Sequence, residues 1–354
     1  MNDLPGGATE SVGAGVALDS AGNPVVVTVY GLSGGHTLMR TIKYAAATGS
    51  VLWARDDAPG SGNDSYGLAV AVDGSDNVYV SGNFNSGAAY RVAKYDSAGT
   101  LQWAFNDANG SWGSGIAIDT AGNIVVAGAD ISESMGYTAA YKPDGSGSTV
   151  WTKTDANFGW INGVALDASN NVYVAGQDST YSKGYLAKYP AGGGAALWTK
   201  TDTTGSAENF MGVAVDSAGQ PCVVGDYNSV FPPNQSILYA FKYKADGSAY
   251  VWHQTDTSGG TNGNYGYGVA VDGQDNVVVT AAKGVGGSLQ DMETVSFAAS
   301  NGATVWPALN NSSSGHHGVG GQGVKVSSQG NVVVTGEMSN GATGVAQTIS
   351  YPCP

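Results

Sequence analysis

The chain repeats one pattern of apolar and polar positions seven times. Each copy opens with a segment in which small and apolar residues alternate, as in GVALDSAGN at 15 to 23. A DxxGN-like turn ends this segment, and an apolar run rich in β-branched residues follows, as in NVYVSG at 77 to 82. Such runs on both sides of a tight turn predict a β-hairpin. Later in each copy, segments ending in KY or YK and then in Trp predict a third and a fourth strand.

The copies are spaced evenly along the whole chain. The anchor position of each turn recurs every 46 to 56 residues, at Asp19, Asp73, Asp119, Asp167, Asp216, Asp272 and Ser327. A tryptophan keeps the same period at Trp53, Trp103, Trp151, Trp198, Trp252 and Trp306. Four short strands per repeat without a helical period predict the blades of an all-β, seven-bladed β-propeller with four-stranded antiparallel blades, one domain over residues 1–354. The alternatives fit less well, because the repeat is too long for a β-helix coil and too short for a row of sandwiches.

The two ends of the chain both point to the seventh blade. Asp3 precedes the first anchor by 16 residues, as Asp57 precedes the second anchor, while the last repeat stops at ISYPCP after its third strand. We therefore expect an incomplete last blade. Either Met1 to Asp3 latch the edge of a three-stranded blade, or the chain is a segment of a longer protein.

Composition narrows the classes of function. Only 12% of residues are charged and the net charge is -14, which argues against binding to nucleic acid or an anionic membrane surface. No run of 18 apolar residues exists, so no membrane span is expected. Cys222 and Cys353 are too few for a disulfide scaffold or a structural zinc site with the usual spacings. The start MNDLPGGATE has no signal-peptide pattern, but few charges and many Gly, Ser, Thr and Asn favour an extracellular or cell-surface location.

Two motifs resemble a known bacterial repeat. SYGLAVAVDGSDNVYVSG at 65 to 82, followed by YRVAKYDSAGTLQW at 90 to 103, resembles the SBBP family, named for its seven-bladed β-propeller repeats. The likeness covers almost the whole chain and is weakest in the last repeat. It implies a surface or secreted bacterial scaffold, commonly one module of a larger protein, and carries no general reaction or cofactor.

A second resemblance concerns the tryptophan segments. ATGSVLW at 47 to 53, DSAGTLQW at 96 to 103 and SNGATVW at 300 to 306 are similar to the tryptophan-docking motif of quinoprotein dehydrogenases. That family would imply pyrroloquinoline quinone and calcium, and many members stack the quinone on a vicinal disulfide. The two cysteines here are 131 residues apart, so the shared motif indicates blade packing and no quinone cofactor is expected.

Departures from the repeat mark a candidate binding site. The position seven residues before the anchor is aromatic in four copies, and two further rings lie one or two residues along, which gives Tyr66, Trp112, Trp160, Phe210, Tyr265 and Tyr267. Amides recur ten residues before the anchor at Asn63, Asn109, Asn157 and Asn262. Rings beside amides on an uncharged rim suit a glycan or an extended peptide. They predict a non-catalytic binding module, and the competing interpretation is that the rings only cover the end of the core.

Acids on the same side leave two more options. The loops after the second strands carry Asp130, Glu133, Asp178, Asp226, Asp291, Glu293 and Glu337. Converging carboxylates could hold calcium, or could serve a polysaccharide lyase or glycosidase. With 28 acids in the chain some convergence is expected by chance, so no metal ligand or catalytic residue is assigned. A third possibility is a purely architectural module that pairs with another chain by strand addition at blade seven.

Overall fold

The computed structural model describes residues 2–3, 8–33, 35–57, 64–202, 208–228, 236–256, 264–286, 289–311, 317–339 and 344–352. Within these ranges the chain is all β, and no helix is present that could cross a membrane. Met1, Asn63, Asn262 and Cys353 lie outside them. The strands are β1 (Asn2–Asp3), β2 (Ala8–Leu18), β3 (Pro24–Leu32), β4 (Thr37–Tyr44), β5 (Val51–Asp57), β6 (Ser65–Val72), β7 (Val78–Phe84), β8 (Ala89–Tyr95), β9 (Leu101–Asp107), β10 (Gly115–Ile118), β11 (Ile124–Ala129), β12 (Gly136–Tyr141), β13 (Thr149–Asp155), β14 (Phe158–Leu166), β15 (Val172–Asp178), β16 (Gly184–Tyr189), β17 (Trp198–Thr201), β18 (Glu208–Val215), β19 (Pro221–Asn228), β20 (Ser236–Tyr243), β21 (Tyr250–Asp256), β22 (Asn264–Val271), β23 (Val277–Gly286), β24 (Leu289–Phe297), β25 (Thr304–Asn311), β26 (His317–Val326), β27 (Val332–Ser339) and β28 (Gly344–Tyr351).

These strands form the seven antiparallel sheets that the repeats predict. Blades one to six are β2–β5, β6–β9, β10–β13, β14–β17, β18–β21 and β22–β25, with each strand paired to the next one in the chain. Blade seven takes β26, β27 and β28 from the end of the chain and adds β1 at the edge of β28. Asn2 pairs there with Gln347 and Asp3 with Ala346. The predicted seven-bladed propeller is thus confirmed, and its last blade has three full strands and a two-residue fourth.

The first strand of every blade lies at the centre of the propeller. The two ends of these strands lie on opposite faces of the molecule. We call the side with the DxxGN-like hairpin turns the turn face. The opposite side, where each second strand ends and the next blade's first strand begins, is the loop face. The first strands of all seven blades line a central channel. In each sheet the first strand has only one neighbour, so its other edge faces the channel.

The anchor aspartate shapes the turn in each hairpin. In blade one, Asp19 accepts hydrogen bonds from the backbone amides of Ala21 (3.0 Å) and Asn23 (2.8 Å), and Gly22 adopts a φ of 78°. The Lys43 ammonium also lies 2.7 Å from the Asp19 carboxylate. Burial alone would raise the pKa of Asp19, but the hydrogen bonds from Lys43 and Asn23 outweigh it and lower the pKa below 3.8. The anchor aspartate is therefore a structural cap of the hairpin turn.

The periodic tryptophans fasten each blade to the next. Trp53 of blade one donates its indole N–H to the Ser97 carbonyl of blade two at 3.1 Å. Its ring lies against Gly99, where a Cβ atom would be 2.6 Å from the indole. Trp198 and Trp252 repeat the hydrogen bond to the following blade at 3.1 Å each. This geometry explains the tryptophan-docking motif as a device of blade packing.

Candidate functional site

Three predicted rim residues form one aromatic row on the loop face. Tyr66 in blade two lies beside Trp112 in blade three, with ring centroids 5.7 Å apart. Trp112 in turn lies 6.2 Å from Trp160 in blade four. All three side chains are partly exposed. Because the row crosses two blade boundaries, the repeat itself positions the rings side by side.

Glu133 fixes the central ring of this row. Its Oε1 accepts the indole N–H of Trp112 at 2.8 Å and the hydroxyl of Ser111 at 2.7 Å. Gly87 packs against the same group, and a Cβ atom there would lie 2.8 Å from Oε1. The indole N–H is therefore already satisfied within the protein. What Trp112 offers to a ligand is its ring surface, which suits the apolar face of a sugar.

Tyr181 is an exposed ring attached to the backbone of Glu133, and it is absent from the residues predicted from the sequence. Its hydroxyl donates to the carbonyl oxygens of Glu133 (3.0 Å) and Gly159 (3.3 Å), while 49% of the residue stays exposed. Glu133 and Tyr181 occupy equivalent places in two similar loops, DISESMGY at 130 to 137 and DSTYSKGY at 178 to 185. Both residues adopt a φ of 54°, an uncommon conformation for a non-glycine residue. The shared DxxxSxGY pattern is the signal in the sequence that could have pointed to Tyr181.

Phe210 does not belong to the rim, and its selection was wrong. The residue is fully buried and packs in the core against Tyr239 and Phe241. It lies one position beyond Asn209, which is the true counterpart of Tyr66 in blade five. Successive side chains in a strand point to opposite faces, so this one-residue step turns Phe210 inward.

Tyr265 and Tyr267 form a separate group on the same face. Both are partly exposed, and within the described ranges no ring contact joins them to the row. Tyr267 lies near Asp226 of blade five: burial and then the Asp226 charge raise the pKa of Tyr267 to about 12. Burial raises the pKa of Asp226 itself to about 6.

Four of the remaining predicted polar groups make hydrogen bonds within their own loops. Asn109 and Asn157 each donate an amide hydrogen bond of 2.8 Å to the aspartate two residues earlier, Asp107 and Asp155. Asp130 and Asp178 accept backbone amides of their own loops. Asp291, Glu293 and Glu337 instead lie in strands β24 and β27, and Glu293 pairs with Lys283 at 2.8 Å. Among the residues that the structure describes, no three His, Cys, Asp or Glu side chains group closely enough to hold a metal ion.

Comparison with known proteins supports the fold but identifies no family. No family model matches the chain, and no curated protein matches it. The likeness to the SBBP family therefore stays a prediction from the motifs.

Solved structures resemble the chain in fold at low sequence identity. A Kuenenia stuttgartiensis hydrazine synthase chain is 14% identical with a TM-score of 0.63, and the match covers 99% of this chain and 97% of that one. The extracellular domain of BT4673 from B. thetaiotaomicron is 13% identical with a TM-score of 0.54, over 98% of this chain and 39% of that one. A protein of unknown function from Bacteroides caccae is 12% identical with a TM-score of 0.50, over 86% and 94%. At these identities the comparison supports the fold alone.

Proposed function

We propose that the protein is a non-catalytic extracellular or cell-surface scaffold that binds a glycan on the loop face. The observation that carries the proposal is the row of Tyr66, Trp112 and Trp160 across blades two to four, with the exposed Tyr181 held next to it through Glu133. Its central indole N–H is satisfied by Glu133, so ring surfaces are what the row presents. The low charge of the chain, and the fold it shares with a domain named as extracellular, support the proposed location.

A glycan suits this row better than a peptide. An extended peptide often binds by adding a strand to a sheet edge. The row presents the faces of aromatic rings and no sheet edge. Sugars stack their apolar faces on aromatic rings and place hydroxyls on polar neighbours. Peptide binding is therefore an outcome that the experiment must be able to detect.

The decisive experiment is a glycan and peptide binding screen, with and without calcium, on matched variants. The double variant Trp112→Ala/Trp160→Ala should lose at least about tenfold in affinity, since each stacked ring contributes about 1 kcal/mol. Tyr265→Ala/Tyr267→Ala on the same face is the control and should bind normally. Equal melting temperatures exclude a folding defect. Undiminished binding by the row variant, or loss only in the control, would contradict the proposed site.

Glu133 can be tested as a positioning residue in the same assay. Glu133→Ala removes the acceptor of Trp112 and should weaken binding although Glu133 contacts no ligand. Glu133→Gln keeps an acceptor oxygen and should restore most of the affinity. Tryptophan fluorescence gives a second readout, because the environment of Trp112 should change only in the alanine variant. An equal loss of affinity in both variants would show that the hydrogen bond to the Trp112 indole does not cause the loss.

One observation favours a second candidate function, a polysaccharide lyase or glycosidase. Asp226 has a pKa of about 6 and lies beside Tyr267 on the loop face, as a group that exchanges protons near neutral pH would. This hypothesis predicts turnover of a polysaccharide that Asp226→Asn abolishes. Binding without turnover supports the non-catalytic function.

A further inference from the structure

The central channel carries a single charged side chain among the described residues that line it. Its wall is built from the first strands of all seven blades and encloses about 500 Å³. One position of the repeat is alanine in six blades, at Ala17, Ala71, Ala117, Ala165, Ala214 and Ala270, and it is Lys325 in blade seven. All other lining residues in the described chain are Ala, Val, Leu or Ile.

Lys325 has no partner within the described residues. Lysines of other blades pair with the anchor carboxylate, as Lys43 pairs with Asp19 and Lys242 with Asp216 at 2.8 Å. Blade seven has Ser327 in place of that carboxylate and Ser350 in place of the paired lysine, so Lys325 is an addition and not a shifted member of the pair. Lys325 is an exposed residue whose side chain borders the space of the channel, and desolvation by the surrounding wall lowers its pKa.

We infer that the channel binds a small monocarboxylate, with the carboxylate on Lys325 and an apolar body against the alanine ring. Lys325 faces the channel without a carboxylate partner among the described residues, and the side chains around it are apolar, so its ammonium attracts an anion that can pair with it. Backbone N–H groups on the free edges of the first strands supply further donors. Apart from Lys325 the lining side chains are apolar, while polar atoms of the backbone and of Lys325 make up most of the accessible wall. A pocket of several hundred Å³ that combines apolar side chains with a few polar groups is typical of small-molecule sites. This site is separate from the aromatic row and does not rest on the proposed function.

Calorimetry with benzoate and hexanoate tests the inference, with benzamide and hexanamide as uncharged analogues. The wild type should bind the acids and not the amides. Lys325→Ala, which completes the alanine ring, and Lys325→Met, which keeps the length without the charge, should each weaken binding at least tenfold. Lys244→Ala removes an exposed turn lysine of blade five and should leave affinity unchanged.

A second variant tests the channel without touching the lysine. Ala165→Leu narrows the ring from blade four and should abolish binding while the melting temperature shows that the protein is folded. Anomalous diffraction from crystals soaked in 4-bromobenzoate should place the bromine inside the channel. No saturable binding below about 10 mM by the folded wild type, or equal binding by Lys325→Ala and the wild type, would overturn the inference.

Discussion

At the scale of single residues, a glycine with positive φ lies against the ring of five periodic tryptophans: Trp53, Trp103, Trp151, Trp198 and Trp252. Gly193 in blade four has a φ of 75°, and a Cβ atom there would lie 2.8 Å from the ring of Trp151. Gly192 next to it has open space around a Cβ atom and no positive φ. Substitutions at these two adjacent glycines therefore distinguish the effect of docking against Trp151 from the general effect of replacing a glycine in this loop.

We expect Gly193→Ala to lower the free energy of unfolding by about 2 kcal/mol, because it combines a left-handed backbone with a collision against Trp151. Gly192→Ala should change it by less than about 0.5 kcal/mol. Urea denaturation followed by tryptophan fluorescence measures both. Equal values for the two variants would show that the indole can move aside freely.

A second residue-scale prediction concerns pH. The pKa of Asp226 is about 6 in the folded chain against an ordinary value of 3.8, so its contribution is fully present below pH 3.8 and is lost as pH rises through 6. Asp226→Asn should therefore gain stability relative to the wild type as pH rises from about 4 to 7, by up to about 3 kcal/mol. Thermal unfolding across this range measures the difference.

Asp130 provides the control of opposite sign. Hydrogen bonds from Ser132 and from backbone amides outweigh burial and hold its pKa below 3.8, so its contribution is present above pH 3.8 and is lost on acidification. The deficit of Asp130→Asn should shrink as pH falls below 3.8. A pH-independent difference for Asp226→Asn would contradict the raised pKa.

The same scale shows where sequence reasoning about the site succeeds and where it stops. Tyr66, Trp112 and Trp160 could be placed together because they share one register position, and the repeat fixes where that position lies. Phe210 could not be placed, because its side of the strand depends on a single step of alternation next to a register shift. Glu133 acts through the fold of a loop on an indole 21 residues away, which no local pattern encodes.

At the scale of elements, the blades are joined in pairs on the turn face. The Ser20 amide and hydroxyl of blade one donate to the Asp76 carboxylate of blade two at 2.8 and 2.7 Å. Ser217 of blade five and Asp275 of blade six make the same two bonds. The corresponding pair in blades three and four is Thr120 and Asn170.

The turn sequences explain the alternation. Odd blades have Ser or Thr after the anchor and Gly three residues after it, while blades two, four and six have Gly or Ala and then Asp or Asn. We call each of these hydrogen-bonded residue pairs a clamp. Each clamp joins an odd-numbered blade to the even-numbered blade that follows it. Between blades two and three Gly74 faces this boundary and a cavity of about 430 Å³ lies between the turns. The turn residues can be read from the sequence, but which of them pair depends on contacts between residues about 55 positions apart.

Asp76→Gly tests one clamp. Glycine is the residue that odd blades use at this place, so the left-handed turn is kept and only the side-chain hydrogen bonds are lost. We expect a loss of about 1 kcal/mol in the free energy of unfolding. Ser75→Ala in the same turn removes a hydroxyl that makes no hydrogen bond within the described chain, and it should be neutral. If chemical denaturation gives no loss for Asp76→Gly, the clamp does not contribute to stability.

At the scale of the whole molecule, the ring closes with the contacts that join its other blades. Ser11 of blade one accepts the amide of Ala346 in blade seven at 2.8 Å, as Ser65 of blade two accepts the amide of Met39 in blade one at 3.0 Å. Residues of both end blades also share a core cluster that includes Val16 and Val333. The number of blades follows from the repeat alone, whereas this closure required the register of two distant ends.

The latch of β1 on β28 is the remaining link between the two ends, and its contribution can be measured. Removing residues 1–3 should lower the free energy of unfolding by about 1 to 3 kcal/mol, since it deletes a few backbone hydrogen bonds of the pairing with Ala346 and Gln347. Asn2→Ala/Asp3→Ala keeps the backbone and should retain most of the stability.

A peptide with the sequence MNDLPG, added in excess to the truncated chain, should recover part of the loss, because strand pairing depends on the backbone and not on chain continuity. A truncated chain as stable as the full one would show that packing of blade one against blade seven closes the ring without the latch. Recovery by the peptide would instead show that the edge of β28 accepts a strand in trans, which is the property that an architectural role at blade seven requires.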